Sequence, residues 1–164
     1  MAALDDFNDG PADQAVQDLR GCNAAPRFAA EIVAGRPYRD VGTLVARAEE
    51  VSRSLPWDDV AIALTAHPRI GDRVDGSSTE AESSRREQSS MDDAEQATRD
   101  ALVDGNRRYE DRFGHVFLIR ASGRSPEEML AELERRLGND DASERDETVD
   151  QLRQIALLRL EDLL

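Results

Sequence analysis

The chain has 164 residues, the size of one ordinary domain, and a formal net charge of −14 that argues against a nucleic-acid-binding surface. All 21 basic residues are arginine, so Schiff-base and P-loop chemistry, which needs a lysine amine, is excluded. One cysteine and two histidines exclude an internal disulfide, a multi-thiolate metal site and a three-histidine zinc site. Because the sequence has neither a long apolar run nor a start typical of a signal peptide, we expect a cytoplasmic protein without membrane contact.

Apolar residues recur at three- and four-residue spacing through the first part of the chain, and this periodicity predicts helices. A short start near residues 4–7 is followed by predicted helices over 12–22, 26–35 and 41–52, and Pro56 opens a fifth that continues to Leu64. We expect Ile62 to lie with Val60 and Ala63 on the buried face of that fifth helix.

Residues 66–79 break this pattern, because they combine a proline, two glycines and several hydroxyl side chains with few apolar ones. We predict a loop, and long irregular stretches between helices more often carry function than packing. The elements predicted after it are a polar helix from about residue 80, a long helix over 92–113, an unassigned apolar run over 115–119, a helix from Ser125 to Gly138, a polar connection over 139–146 and a last helix over 147–164. The sequence therefore predicts an all-α fold, a single compact domain of eight or nine helices over residues 1–164.

Two arginines lie within or beside the apolar face of the last predicted helix. On a helical wheel Arg159 falls inside the arc of Leu152, Ile155 and Leu160, and Arg153 falls at its edge. A guanidinium directed at a core keeps its charge, so a carboxylate or another anion should lie opposite it. An internal salt bridge, a head group that reaches solvent and a bound anion all fit this pattern, and the wheel does not choose between the two arginines.

Polar residues with acid–base potential stand around the predicted loop. His67 lies where the fifth helix ends, and an imidazole titrates near neutral pH. Ser84, Glu87 and Gln88 are spaced so that a helix would present their hydroxyl, carboxyl and amide groups on one face. Structural alternatives exist, because His67 could satisfy a helix end and Ser84 with Glu87 fits a capping box. Their closeness in the sequence makes this region the candidate site.

Several stretches, in matching order and spacing, resemble one known family. Residues 66–72 read AHPRIGD and residues 84–88 read SRREQ. The similarity continues over nearly the whole chain, through Arg112-Phe113-Gly114, Gly123-Arg124-Ser125 and Arg159-Leu160-Glu161-Asp162-Leu163. These residues resemble the 2-oxo-4-hydroxy-4-carboxy-5-ureidoimidazoline (OHCU) decarboxylases of uric acid breakdown.

The resemblance implies an all-helical homodimer that converts OHCU to (S)-allantoin and carbon dioxide with no metal and no cofactor. It implies His67 as the acid–base residue at the substrate hydroxyl, Glu87 as its carboxylate partner and Arg159 as the anion contact. The residues that it expects to line the substrate pocket are Pro68, Ser84, Gln88, Phe117, Leu118, Ile119, Arg120 and Ala121, the last five through backbone groups.

The chain departs from the family pattern at His115 and Val116, where many relatives have an aromatic residue and a proline. His115 could supply a second proton donor, but a surface or packing role is favoured and it stays outside the catalytic set. Two other functions fit the sequence. One is an acidic helical module that binds a basic partner through its carboxylates, and the other is a related decarboxylase that acts on a different ureido acid.

Overall fold

The chain is all-helical in the computed structural model, which describes residues 2–70 and 96–164. The helices in these ranges are α1 (Ala2–Asp9), α2 (Ala12–Arg20), α3 (Pro26–Ala34), α4 (Val41–Ser54), α5 (Trp57–Leu64), α6 (Gln96–Phe113), α7 (Pro126–Arg136) and α8 (Asp141–Leu163). No β-strand occurs in these two ranges, and the all-α prediction is confirmed. None of the eight helices combines the length and apolar character that crossing a lipid bilayer requires.

The larger hydrophobic core is built by α1 to α5 together with α8. Helix α2 packs against α3, α3 against α4 and α4 against α8. Leu19, Phe28, Ile32 and Leu44 are fully buried there, and Leu152 of α8 joins them. The apolar spacing that predicts these helices therefore also predicts the faces by which they pack, because each helix buries one stripe.

A smaller core lies between α6, α7 and residues 117–121, a segment without regular secondary structure in the connection between them. Leu102 and Tyr109 of α6 are fully buried in the same cluster as Leu133 of α7. The two helices approach closely at Gly105, where a Cβ atom would lie 2.6 Å from Leu133 Cδ2. This core fixes where the segment 117–121 can run, which matters for the candidate site.

Several helix ends fall where the sequence predicts them. Pro26 occupies the first turn of α3, and Gly35 follows its last residue. Ser125 is the N-cap of α7, and its side-chain oxygen accepts a hydrogen bond from the Glu128 amide at 3.1 Å. These local signals act within four residues, so they can be read without knowing the tertiary structure.

The predicted polar connection over 139–146 is wrong in its second part, because α8 begins at Asp141. Asp140 caps this start by accepting a hydrogen bond from the Ser143 amide at 2.7 Å. Glu144 is fully buried and pairs with Arg136 of α7. The segment is polar in sequence yet helical, because a cap and a buried ion pair satisfy its charges.

Ile62, which we expect on the buried face of its helix, and Leu163 are both exposed. Ile62 of α5 is 48% exposed, because the buried face of that helix is formed by Val60, Ala63 and Leu64. Leu163 falls in the apolar arc of α8 on a wheel but is 37% exposed, since it is the last residue of the helix. The wheel predicts the direction of a side chain but not whether a neighbour covers it.

The Ser125→Ala variant should lower the free energy of unfolding by about 1 kcal/mol, because it removes the cap acceptor of the Glu128 amide. The measurement is chemical denaturation monitored by circular dichroism. The matched control is Ser122→Ala, which changes an exposed residue in the preceding turn and should leave stability unchanged within about 0.5 kcal/mol. Equal stabilities of both variants and the unmodified chain would show that this cap contributes nothing.

Candidate active site

His67 lies in the turn that ends α5, where its amide donates to the Leu64 carbonyl oxygen at 3.1 Å. The residue is partly exposed and borders a cavity of about 440 Å³. Side chains that line this cavity include His67, Pro68, Arg69, Glu110, His115 and Val116. The structure therefore places His67 and Pro68, both predicted site residues, at one hollow.

The environment of His67 favours the neutral imidazole. Desolvation by the surrounding protein, together with the positive charge of Arg159, lowers the pKa of His67 to about 3. At neutral pH the ring therefore has a lone pair available to accept a proton. That is the state a general base needs before it meets its substrate.

Arg159 projects from α8 into the protein interior and is only 4% exposed. Its Nη1 donates to the Gly21 carbonyl oxygen at 3.3 Å, and the guanidinium is close enough to act electrostatically on His67. Arg159 is not among the described residues that border the cavity at His67, and its electrostatic effect on the imidazole is what links the two predicted site residues. A buried cation that keeps its proton can hold an anionic or carbonyl oxygen beside the imidazole.

Arg153, the other arginine singled out on the wheel, has a different environment. Its Nη2 donates to Asp150 of the same helix at 2.7 Å, and its Nη1 lies 3.3 Å from Glu49 Oε1 of α4. These carboxylates are intermediate or exposed, so the contact is a surface salt bridge between helices. The structure therefore distinguishes the two arginines, which the helical wheel does not. Arg153 forms salt bridges at the surface, whereas Arg159 is buried.

The segment 117–121 has no regular secondary structure and is mostly buried. Leu118 packs into the larger core, whereas Phe117, Ile119 and Ala121 pack into the smaller one. The Arg120 amide donates to Gln151 Oε1 of α8 at 2.9 Å. Val116, the residue before the segment, borders the same cavity as His67. Residues 117–121 themselves are not among the described residues that border this cavity, so their part in a substrate pocket stays a prediction.

Ser84, Glu87 and Gln88 lie outside the described residues, as do 71–79 of the predicted loop and the predicted polar helix near residue 80. Their roles stay predictions. Of the two residues predicted to act together in proton transfer, His67 and Glu87, only His67 lies within the described residues.

Arg69 and Glu110 form a cavity-lining pair that the sequence gives no means to predict. Arg69 Nε and Nη2 donate to the two carboxylate oxygens of Glu110 at 2.8 and 3.0 Å. Arg69 stands in the AHPRIGD stretch, but Glu110 lies on α6, far away in sequence. The bidentate geometry fixes the loop beside His67 to that helix.

His115 is surrounded by aromatic rings and also borders the cavity. Its ring centroid lies 5.2 Å from that of Trp57 and 5.5 Å from that of Tyr109, both in edge-on geometry. Its Nδ1 lies 3.1 Å from the Val116 carbonyl oxygen. These contacts fit the packing role favoured for it, and His115 also shapes one wall of the cavity.

A larger hollow of about 630 Å³ lies between α1, α2 and the end of α8. It is bordered by four aspartates, Asp5, Asp6, Asp9 and Asp18, and by none of the predicted site residues. Carboxylates at this density repel an anion, so this hollow does not suit a carboxylate substrate. Among the described residues, no group of three or more His, Cys, Asp or Glu side chains is placed to hold a metal ion.

Several known proteins similar to this chain are named as members of one family. A family model described as OHCU decarboxylase matches residues 8–161. The 2-oxo-4-hydroxy-4-carboxy-5-ureidoimidazoline decarboxylase of Amia calva is 33% identical over 143 residues, which cover 85% of this chain and 81% of that protein. A protein of the same name from Haloferax volcanii is 27% identical over 137 residues, 83% of this chain and 80% of its own.

The fold is also found in a solved structure. The crystal structure of OHCU decarboxylase in the presence of (S)-allantoin aligns with a TM-score of 0.77 and 24% identity, over 90% of this chain and 96% of that one. The fold and the matches together define an all-helical enzyme of the carboxy-lyase class. The chain belongs to the OHCU decarboxylase family, and the predicted family is confirmed.

The low pKa of His67 leads us to expect that the stability of the fold depends on pH. An unfolded histidine titrates near 6.5, so between pH 7 and pH 5.5 the unfolded chain binds a proton that folded His67 does not. Stability from this group is therefore present above pH 6.5 and is lost as the pH falls. Relative to His67→Gln, the unmodified chain should lose up to about 1 kcal/mol over this range, measured by urea denaturation at both pH values. A constant difference between the two proteins would mean that His67 titrates normally.

Proposed function

We propose that this chain decarboxylates OHCU to (S)-allantoin without a metal or organic cofactor. The observation that carries the proposal is the electrostatic effect of a buried guanidinium, Arg159, on a neutral imidazole at a cavity, His67, in a chain of the OHCU decarboxylase family. The absence of lysine from the sequence fits this chemistry, because no Schiff base is needed. We also propose that it is a homodimer, as the resemblance implies, and that it is cytoplasmic, as we expect from the sequence.

The substrate supplies its own electron sink. As the bond to the carboxylate breaks, carbon dioxide leaves and the electron pair moves toward the adjacent C=N bond of the ring, giving an enol. Loss of the hydroxyl proton and protonation of the neighbouring carbon then give the keto form, with one proton taken up overall. The protein must orient the carboxylate, move these protons and deliver one of them to a single face of the ring.

His67 is the group proposed to take the hydroxyl proton. Its low pKa keeps it neutral before substrate binds, and an anionic substrate or intermediate beside it would favour the protonated ring. Glu87 is the proposed carboxylate partner that orients the imidazole and stabilises its charged form. Together they would act as base on the hydroxyl.

Arg159 is proposed to hold the anion. A guanidinium clamped only on the departing carboxylate would stabilise the bound substrate as much as the transition state, which gives no acceleration. We therefore assign it to the ring or ureido oxygens and to a carboxylate turned out of the ring plane. Pro68, Ser84, Gln88 and backbone groups of 117–121 would complete the pocket by contacting the ring and ureido groups.

The direct test is to generate OHCU in place from urate, with the upstream oxidase and hydrolase in excess, and to follow allantoin by circular dichroism. The unmodified chain should form the (S) enantiomer faster than the spontaneous reaction. His67→Asn and Glu87→Gln should fold normally and lose at least about 100-fold in kcat, the usual scale for an acid–base group. Unmodified rates in both variants, or no (S) excess with the unmodified chain, would refute the proposal. Turnover of another ureido acid in preference to OHCU would identify a related decarboxylase.

The two arginines of α8 provide a matched comparison. Arg159→Met should lower kcat/KM by at least about 100-fold, because it removes the buried cation beside His67. Arg153→Met should stay within about 3-fold of the unmodified enzyme, because it breaks only surface salt bridges. Steady-state kinetics with the coupled assay, after thermal unfolding confirms folding, makes the measurement. Equal losses in both variants would contradict the assignment of Arg159.

A further inference from the structure

A buried ion pair joins the end of α7 to the start of α8. Arg136 is 1% exposed and Glu144 is fully buried. Nε and Nη2 of Arg136 donate to Glu144 Oε1 at 2.8 and 2.5 Å, and Tyr109 Oη donates to the same oxygen at 2.5 Å. Asn139 donates to the other carboxylate oxygen at 3.0 Å. Such a pair contributes little net stability compared with apolar packing of the same volume, so its position calls for another role.

The remaining arm of the Arg136 guanidinium reaches the segment 117–121. Its Nη1 donates to the Leu118 carbonyl oxygen at 2.7 Å. Its Cζ atom lies 4.6 Å from the centroid of the Phe117 ring. The charge-assisted bond orients the peptide group, and the stacking contact fixes the neighbouring ring. One buried cation therefore holds two consecutive residues of the segment.

A side chain of α8 holds the segment two residues further on. Gln151 Oε1 accepts the hydrogen bond of the Arg120 amide at 2.9 Å. Gln151 lies on the same helix as Glu144, which holds Arg136, and as Arg159, whose charge acts on His67. The backbone of 117–121 is therefore held by the same helix, α8, that carries Arg159.

We propose that Arg136 and Gln151 are positioning residues that hold the backbone of 117–121 in the register needed to bind substrate. The proposal rests on the proposed function, because that function makes the segment a wall of the substrate pocket. Neither side chain is assigned a contact with substrate. Both act through the backbone groups of the segment, so their loss should affect substrate affinity more than proton transfer.

The sharpest test uses two glutamines three residues apart on α8. Gln151→Met removes the acceptor of the Arg120 amide while keeping the side-chain volume. It should raise KM at least about 5-fold, with kcat changed less than about 2-fold and the pH profile unchanged. The control Gln154→Met removes only a bond to Asp150 on the same helix and should leave KM unchanged. An unmodified KM in Gln151→Met would contradict the proposal for this residue.

Arg136 is tested without leaving a lone buried charge. The double variant Arg136→Met with Glu144→Gln neutralises both partners, and it should raise KM at least about 10-fold. Arg135→Met changes the exposed neighbouring arginine and is the surface control. Tyr109→Phe disturbs the same buried network but leaves the bond to Leu118, so it should lower the melting temperature without raising KM. Equal KM increases in Tyr109→Phe and the double variant would show a merely structural role.

Amide hydrogen exchange measured by NMR gives a readout that does not depend on turnover. Exchange of the Arg120 amide should accelerate at least about 10-fold in Gln151→Met and stay unchanged in Gln154→Met. An unmodified chain that is inactive on OHCU would refute the proposed function. Unchanged exchange and unchanged KM in Gln151→Met would instead overturn the positioning role.

Discussion

The buried Arg136–Glu144 ion pair is the constraint on which the second half of the structure depends. It joins α7 to α8, and through Tyr109 it also joins both to α6. Burial and the adjacent Glu144 carboxylate raise the pKa of Tyr109, so its hydroxyl remains a donor at physiological pH. Removing one partner would strand a charge in the interior at a cost of about 3–5 kcal/mol, whereas neutralising both removes that penalty.

Helix α8 connects this constraint to the candidate site. Glu144 near its start fixes α7, Gln151 near its middle holds the segment 117–121, and Arg159 near its end acts electrostatically on His67. A helix rises about 1.5 Å per residue and bends little, so these groups keep fixed spacings along one element. Placing the guanidinium on a helix packed into the larger core gives a more rigid site than a loop would provide.

The electrostatics of the chain act in opposite directions at long and short range. A net charge of −14 disfavours the approach of an anionic substrate, and salt screens this effect. Inside the protein, the Arg159 guanidinium supplies a local positive charge where water is largely excluded, so its interaction with an anion is screened less. Desolvation and the charge of Arg159 both lower the pKa of His67, so the imidazole is neutral at physiological pH.

The sequence by itself determined the all-α class, the capped helix ends, the position of His67 after α5 and the inward direction of Arg159. These properties follow from apolar periodicity and from caps that act within a few residues, and the family likeness added the proposed roles. Only the tertiary structure decided that α8 begins at Asp141, that Ile62 is exposed and that Arg136 holds the segment 117–121. Each of these depends on residues that are distant in the sequence. A local pattern predicts the direction of a side chain, but it does not predict which side chains from other helices contact it.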